Sequence, residues 1–436
     1  MQDKLSLTRP RLLAAAIAGL LAAAAVPALA DAETDALRRE LAEQRKLIEK
    51  LLADREADKK AAPVAAAPAA AAPAPAAVTS TPGVRIYGIL DGGIEHLTNV
   101  RDTTNTTQGS LTRMPSITAT LPSRVGIAGT KDLGDGYKGI ATAEIGFNTD
   151  DGTLGQGGRL FGRQLFAGVE TPFGAMTYGR QWSMLLYAMM GSDLLGPNIY
   201  ALGSMDPYLA SMRYDNSVAW RAKFGGFSAG ALYSTGRSVV ANGGAPAAGN
   251  CAGEIAGTNQ CRGWSVMAGY ADPAWGVSGA VDEQRGGNGA AAPFFNGSAP
   301  IPFTRAADKD RRTNLGGYVK FGPAKVGAGW LGRKVDAAAG TTKSDAYYLT
   351  AAYTLTDKVT IDGGWNRMTN DDQDRNANLY VLRGFYSLDK ALVAYLQMGH
   401  IANSELASYA LSVGPNVAPP AGGSQTGTMA GLRYMF

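Results

Sequence analysis

From Val84 to Phe436 apolar side chains recur at every second position, and no other feature limits so tightly what this chain can fold into. A period of two puts alternate side chains on opposite faces of an extended strand. In the stretch TGTMAGLRYMF, Thr428, Ala430, Leu432, Tyr434 and Phe436 share one face, while Met429, Gly431, Arg433 and Met435 share the other. VRIYGILDGGIE, SDAYYLTAAYTLTDK and NLYVLRGFYSL alternate in the same way: one face is apolar and ends in an aromatic, and the other carries Arg, Asp, Thr and Gly. The connections then separate a barrel from a sandwich. YTLTDKVTID, ETPFGAMTYG and KFGPAKVG are tight turns, whereas residues 183–210, 237–262 and 286–310 are long loops. Short turns on one side, long loops on the other and an apolar face with aromatic ends predict an all-β fold, a 16-stranded antiparallel transmembrane β-barrel. The strands are expected to run from 84–97 through to 426–436, enclosing an aqueous channel. An even number leaves both barrel ends on the periplasmic side. The last strand is expected to close the barrel, with Phe436 in the interfacial girdle.

Composition narrows the alternatives. Mean hydropathy is −0.09 and no segment after the N-terminus approaches the roughly 18 to 20 apolar residues of a membrane helix, so a membrane can be crossed only by strands. A net charge of +4, with no basic tract interleaved with aromatics, argues against nucleic acid as a partner. A hydrolase built in a barrel needs a His base, and only His96 and His400 exist, both on outward parity near strand ends. The chain is therefore read as no enzyme, and no cofactor is expected. Cys251 and Cys261 sit in one Gly/Ala/Asn-rich loop; an oxidising compartment favours a disulfide, and two thiols without a nearby His are too few ligands for a metal.

Three segments precede the barrel. Residues 1–30 pair Lys4, Arg9 and Arg11 with an apolar run and a small-residue Ala28-Leu29-Ala30 site, the pattern of a signal peptide. Residues 31–60 switch to a helical period, with Leu37, Leu41, Gln44, Ile48 and Leu51 on a heptad seam, so a short periplasmic coiled coil is expected. Its rod would be roughly 45 Å long. Residues 61–83 are nearly all Ala and Pro, an extended spacer of roughly 70 Å. The barrel domain is then 84–436.

Five stretches in order, VRIYGILDGGIE, SRVGIAGTKDLGDGYKG, GRQLFAGVETPFGAMTYGRQ, RYDNSVAW and GLRYMF, resemble the trimeric general diffusion porins of Gram-negative bacteria, in particular the β-proteobacterial branch. The resemblance runs from Val84 to Phe436 and implies a homotrimer in the outer membrane, with the loop after the fifth strand folded into the channel. Lipid bilayer and lipopolysaccharide would then surround the barrel. Parity assigns the constriction. With Val125 and Ile127 outward, Arg124 points in; with Phe166 outward, Arg163 points in; with Val218 and Trp220 outward, Arg213 and Asp215 point in. These arginines match places where such porins carry a basic ladder, and Asp193 in GSDLL resembles the opposing acid; Asp206 is a weaker candidate. Arg180 shares parity with Met176 and Tyr178 and is left out of the pore. The expected function is passive diffusion of small hydrophilic solutes and ions with a modest preference for anions. The alternatives are a substrate-specific channel for carboxylates or aromatic acids, and an envelope tether whose coil binds peptidoglycan or a periplasmic envelope protein.

Overall fold

The computed structural model describes residues 83–436, apart from 102–107, 116–119, 239–250, 293–298, 371–372 and 415; before residue 83 it describes only Lys46, helical and exposed. The signal peptide, the coiled-coil seam and all but Gly83 of the Ala/Pro spacer therefore lie outside the described residues.

Sixteen strands close into an antiparallel barrel. They are β1 (Gly83–Arg101), β2 (Arg124–Gly134), β3 (Tyr137–Gly146), β4 (Gln164–Thr171), β5 (Gly174–Trp182), β6 (Arg213–Phe224), β7 (Phe227–Ser234) and β8 (Gly263–Ala271). The second half is β9 (Trp275–Arg285), β10 (Lys309–Phe321), β11 (Ala324–Ala337), β12 (Gly340–Thr356), β13 (Val359–Thr369), β14 (Ala377–Ser387), β15 (Leu392–Asn403) and β16 (Gln425–Met435). Each pairs with the next, and β1 closes the ring by pairing with β2 through Gly83–Ile89 and with β16 through Ile89–Leu97. Beyond Met435, the Phe436 amide donates to the Gly88 carbonyl at 3.1 Å and its carbonyl accepts from the Gly88 amide at 2.9 Å. Closure leaves no unpaired edge, which hydrocarbon would penalise at several kcal/mol per backbone group.

Alternation sorts the wall into two surfaces. Ile127, Val169, Val218, Leu315, Leu349, Leu382, Leu396 and Leu432 are exposed on the outside. Phe321, Tyr353, Tyr386 and Tyr434 bound this apolar band near the short turns, while Trp330, Tyr347, Trp365 and Tyr380 bound it near the loops. From Tyr353 to Tyr347 is about 20 Å of strand at ~3.4 Å per residue, close to the height of a lipid-facing band. The turns are tight because their residues accept the required dihedrals. Gly134, Asp135 and Gly136, joining β2 to β3, all have positive φ, at 86°, 52° and 81°.

The buried apolar residues do not form a core between sheets. Many belong to the segment after β5, residues 183–212, packed onto inward wall residues such as Leu331, Leu379 and Ile401 and onto Tyr409 and Leu411 of the loop after β15: Met184, Leu185, Leu202, Met205 and Leu209 are fully buried. A short helix, α1 (Met184–Met189), begins it. On the loop side, Cys251 and Cys261 are joined by a disulfide with Sγ–Sγ 2.04 Å. They pack with Phe303, Val335 and the small hairpin of Ala290–Ala292 and Ile301–Phe303.

Candidate channel constriction

The wall holds the inward loop through its backbone. Met184 N donates to Ser265 Oγ on β8 at 3.0 Å, and Ser278 Oγ on β9 donates to the Ala188 carbonyl at 2.6 Å. On β12, Thr350 Oγ1 donates to the Ser192 carbonyl at 3.0 Å and Tyr348 lies 2.7 Å from Ser192 Oγ. Arg383 on β14 donates to the carbonyls of Leu195 and Leu194 at 3.1 and 3.2 Å, while Asp362 on β13 holds its guanidinium through two bonds of 2.6 and 2.8 Å. Further along, Arg312 on β10 forks onto Asp206 of the loop at 2.7 and 2.9 Å. Tyr208 and Tyr214 both donate to Asp282 Oδ1 at 2.9 Å. Charge-assisted, bidentate pairs of this kind fix direction as well as position.

Glycines make room for so close an approach. A side chain at Gly327 on β11 would run into the Ser192 carbonyl oxygen, which belongs to backbone and cannot swing away. Gly327→Leu is therefore expected to push the loop off the wall. Single-channel conductance should change by about twofold or more, with increased open-channel noise, since a constriction limits current by its width. Unchanged conductance in planar bilayers would show that the loop does not set the narrowest point.

Facing the loop's beginning is a group of cations. Arg163 lies one residue ahead of β4, and its Nε donates to Glu144 Oε1 on β3 at 2.7 Å. Arg124 on β2 approaches Glu144 Oε2 at 3.7 Å, and the Tyr87 hydroxyl donates to the same oxygen at 2.9 Å. Arg213 opens β6, directly paired with Trp182, and its guanidinium lies 3.6 Å from the Trp182 ring centre. Arg163 lies 5.4 Å from that same ring. Arg213 is 2% exposed, yet its Nε, Nη1 and Nη2 have no acceptor among the described residues. Its charged neighbours are Arg163, Arg180, Glu144 and Arg124. Two arginines thus share one carboxylate, and the third guanidinium, that of Arg213, is left without an acceptor among the described residues.

Other residues lie where alternation alone does not put them. Phe166 pairs with Thr142 on the inward face, next to Gln164 and Glu144, rather than outward. Arg163 still reaches Glu144 because it precedes the ladder and is not bound by its parity. Asp215 is buried, as expected, but it is claimed by Arg180 and by Arg159 at 3.2 Å, and it accepts from Ser238 N at 3.0 Å. A bulge is responsible: Gly179 pairs with Ser217 while Gln181 pairs with Tyr214, so Asp215 and Asn216 together oppose Arg180. Asn216 carries the extra turn with φ 46°. Parity is interrupted there, and Arg180 becomes a partner of Asp215 instead of an outward side chain. Asp193 stays within the loop, its Oδ1 accepting from Gly196 N at 3.2 Å; burial pushes its carboxyl up to about 6, against the pull of Arg383. Asp206 is bound to Arg312. Glu144, the acid nearest the arginines, was not among the candidates, although its even parity with Thr142 on β3 could have found it.

A closed β-wall that is apolar outside and charged inside, narrowed by a loop pinned to its inner face, defines a transmembrane channel. A family model described as Gram-negative porin matches residues 61–406, and the chain belongs to that family; its place is the outer membrane. An outer membrane porin protein of Bordetella pertussis is 35% identical over 116 residues, 26% of this chain and 30% of that one. The chain thus aligns with about a third of the length of this relative. Among solved structures, an anion-selective porin from Comamonas acidovorans superposes with TM-score 0.65 at 20% identity, covering 81% of this chain and 99% of that one. OmpT of Vibrio cholerae superposes with TM-score 0.54 at 16% identity, covering 81% and 97%. These likenesses are of fold.

Proposed function

We propose that the chain is a general diffusion channel for small hydrophilic solutes and ions, with a modest preference for anions, working as a homotrimer. The observation that carries the preference is Arg213: a buried guanidinium without an acceptor, stacked on Trp182 beside two arginines that share Glu144. A buried donor wants a partner, and a passing anion or its water shell supplies one. Lys320 and Lys325 add to this field; they pair directly across β10 and β11 on the inward face, near the short-turn end. The Comamonas porin is an anion-selective one, and OmpT has been solved in a trimer form; both statements are of those proteins and support the reading by analogy of fold. The reversal potential of the purified protein under a salt gradient tests the preference, and clear cation selectivity would overturn it.

Catalysis has no place in this reading. His96 and His400 each lie against a threonine hydroxyl, Thr112 at 2.8 Å and Thr426 at 2.9 Å, at exposed positions on the outer surface. The tether reading rests on residues 31–60, and deleting 31–82 tests it: lost envelope integrity with unchanged conductance supports a tether, and lost trimers support an assembly role.

The preference is also expected to depend on pH. Asp193 has its carboxyl raised to about 6 by burial, so the folded loop holds its proton more tightly than an exposed Asp would. Loop packing at this point is therefore most stable below the ordinary carboxylate range and loses that contribution as pH rises through about 6. Between pH 7 and pH 5 the loop loses a negative charge, and anion preference should rise with a midpoint near 6. Asp193→Asn should flatten the profile, and a variant that kept the wild-type pH dependence would assign it elsewhere.

A further inference from the structure

The chain has six tryptophans, and five of them stand on the outer wall. Trp220 pairs with Met176, Trp264 with Tyr233, Trp330 with Tyr347, and Trp365 with Leu349 and Tyr380, all partners with exposed side chains, and Trp275 is itself exposed. An indole on that surface serves the membrane interface. The sixth, Trp182, is on the inner side. It ends β5 and pairs with Arg213, the first residue of β6, at the last register position before the chain leaves the wall for the inward loop. It packs against the apolar cluster of that loop, and its ring centre lies 3.6 Å from the Arg213 guanidinium and 5.4 Å from that of Arg163.

A ring in this place has a different use. Its face is negative, and a guanidinium laid against it is held most firmly where water is excluded. Arg213 has nothing else to hold it. Glu144 pairs with Arg163 at 2.7 Å and with Arg124 at 3.7 Å, and Asp215 pairs with Arg159 at 3.2 Å and with Arg180, so both neighbouring carboxylates serve other arginines. Yet Glu144 is close enough to act on the Arg213 charge. An arginine side chain freed from its stack would swing toward that anion, since attraction between opposite charges strengthens as water is shut out. Such a pairing would cancel the field that an approaching ion feels.

We propose that Trp182 is a positioning residue for ion selectivity: its ring holds the Arg213 guanidinium off Glu144, so that this charge stays uncancelled toward the channel. The same ring face also attracts Arg163, which offsets part of the repulsion between the two cations. The inference rests on the reading of Arg213 as the source of the anion preference and adds the residue through which that preference is maintained.

The test uses the full chain in planar bilayers under a KCl gradient. Trp182→Leu should lower the chloride-to-potassium permeability ratio by about twofold, a part of what one unit charge is worth at that distance. Trp182→Phe keeps a ring and should keep most of the ratio. In a Glu144→Gln background Arg213 has no anion there to swing toward, so adding Trp182→Leu should leave the ratio of that background unchanged. A tryptophan that merely filled space beneath the loop would behave otherwise: its loss would lower heat resistance or alter conductance and leave the permeability ratio alone. Should Trp182→Leu fail to fold, Trp182→Met supplies the ringless side chain. A ringless variant with the wild-type ratio, a Trp182→Phe protein as impaired as the ringless one, or an undiminished effect in the Glu144→Gln background would each overturn the inference. Wild type without anion preference would instead overturn the proposed selectivity itself.

Discussion

Replacing Arg213 by glutamate is expected to turn a mild preference for anions into a preference for cations. The guanidinium has no acceptor among the described residues, so its field is not cancelled locally as those of Arg180 and Arg312 are. Even at the dielectric of water, a unit charge about 5 Å from a passing ion is worth about 0.8 kcal/mol, close to fourfold in local ion population. Arg213→Glu changes the charge by two units, so the permeability ratio should move by at least about fourfold. Arg213→Lys should keep the sign but lose the stacking on Trp182, because an ammonium lacks the planar face. Reversal potentials for the three proteins decide the matter: an Arg213→Glu protein as anion-preferring as wild type would remove Arg213 from the constriction.

Arg383→Ala is expected to have the largest effect on the loop. The substitution strips the carbonyls of Leu194 and Leu195 of their donor and leaves Asp362, itself 2% exposed, without its cation. Breaking one side of a buried pair costs about 3 to 5 kcal/mol. Water in the lumen should bring the loss toward the lower figure. The folded barrel should lose heat resistance in detergent, and single-channel records should show new fluctuations. Combining Arg383→Leu with Asp362→Leu should recover part of the stability, since no charge is then stranded, but not the quiet current, since the loop carbonyls remain unheld. A double variant as quiet as wild type would mean that other contacts along the wall suffice.

The wall was legible in the sequence because its cause is local. Lipid on one side and water on the other impose a period of two on each strand, and the strands expected from 84–97 to 426–436 reappear with small shifts at their ends. Arg124 could be named for the same reason, whereas Arg163 lies ahead of its ladder and Arg213 beyond the bulge, so alternation does not carry their direction and only the family resemblance pointed to them. Their partners were harder to read. Asp215 looks inward by parity, but Asn216 inserts a bulge that gives it to Arg180 and Arg159; RYDNSV holds only the hint that Asn tolerates positive φ. The pairing of Asp206 with Arg312 spans 106 positions, and Arg383 meets Leu194 across 189, contacts that exist only once the loop has turned inward. The apolar character of the loop, rich in Met and Leu, now has a plain cause: these side chains are its footing on the wall.

The carboxylate of Asp91 at the seam has a consequence for biogenesis. It is 1% exposed and accepts from Thr120 N, Thr120 Oγ1 and Leu121 N at 3.1, 2.5 and 2.7 Å, and from the Tyr395 hydroxyl on β15 at 2.8 Å. Three of those bonds come from residues 29 and 30 positions away, but the fourth waits on β15, 304 positions away, so a half-built sheet leaves the oxygens one donor short. The penultimate stave must arrive before the set is whole. Zipping up the cylinder and finishing the shell of this one oxygen pair belong to the same step.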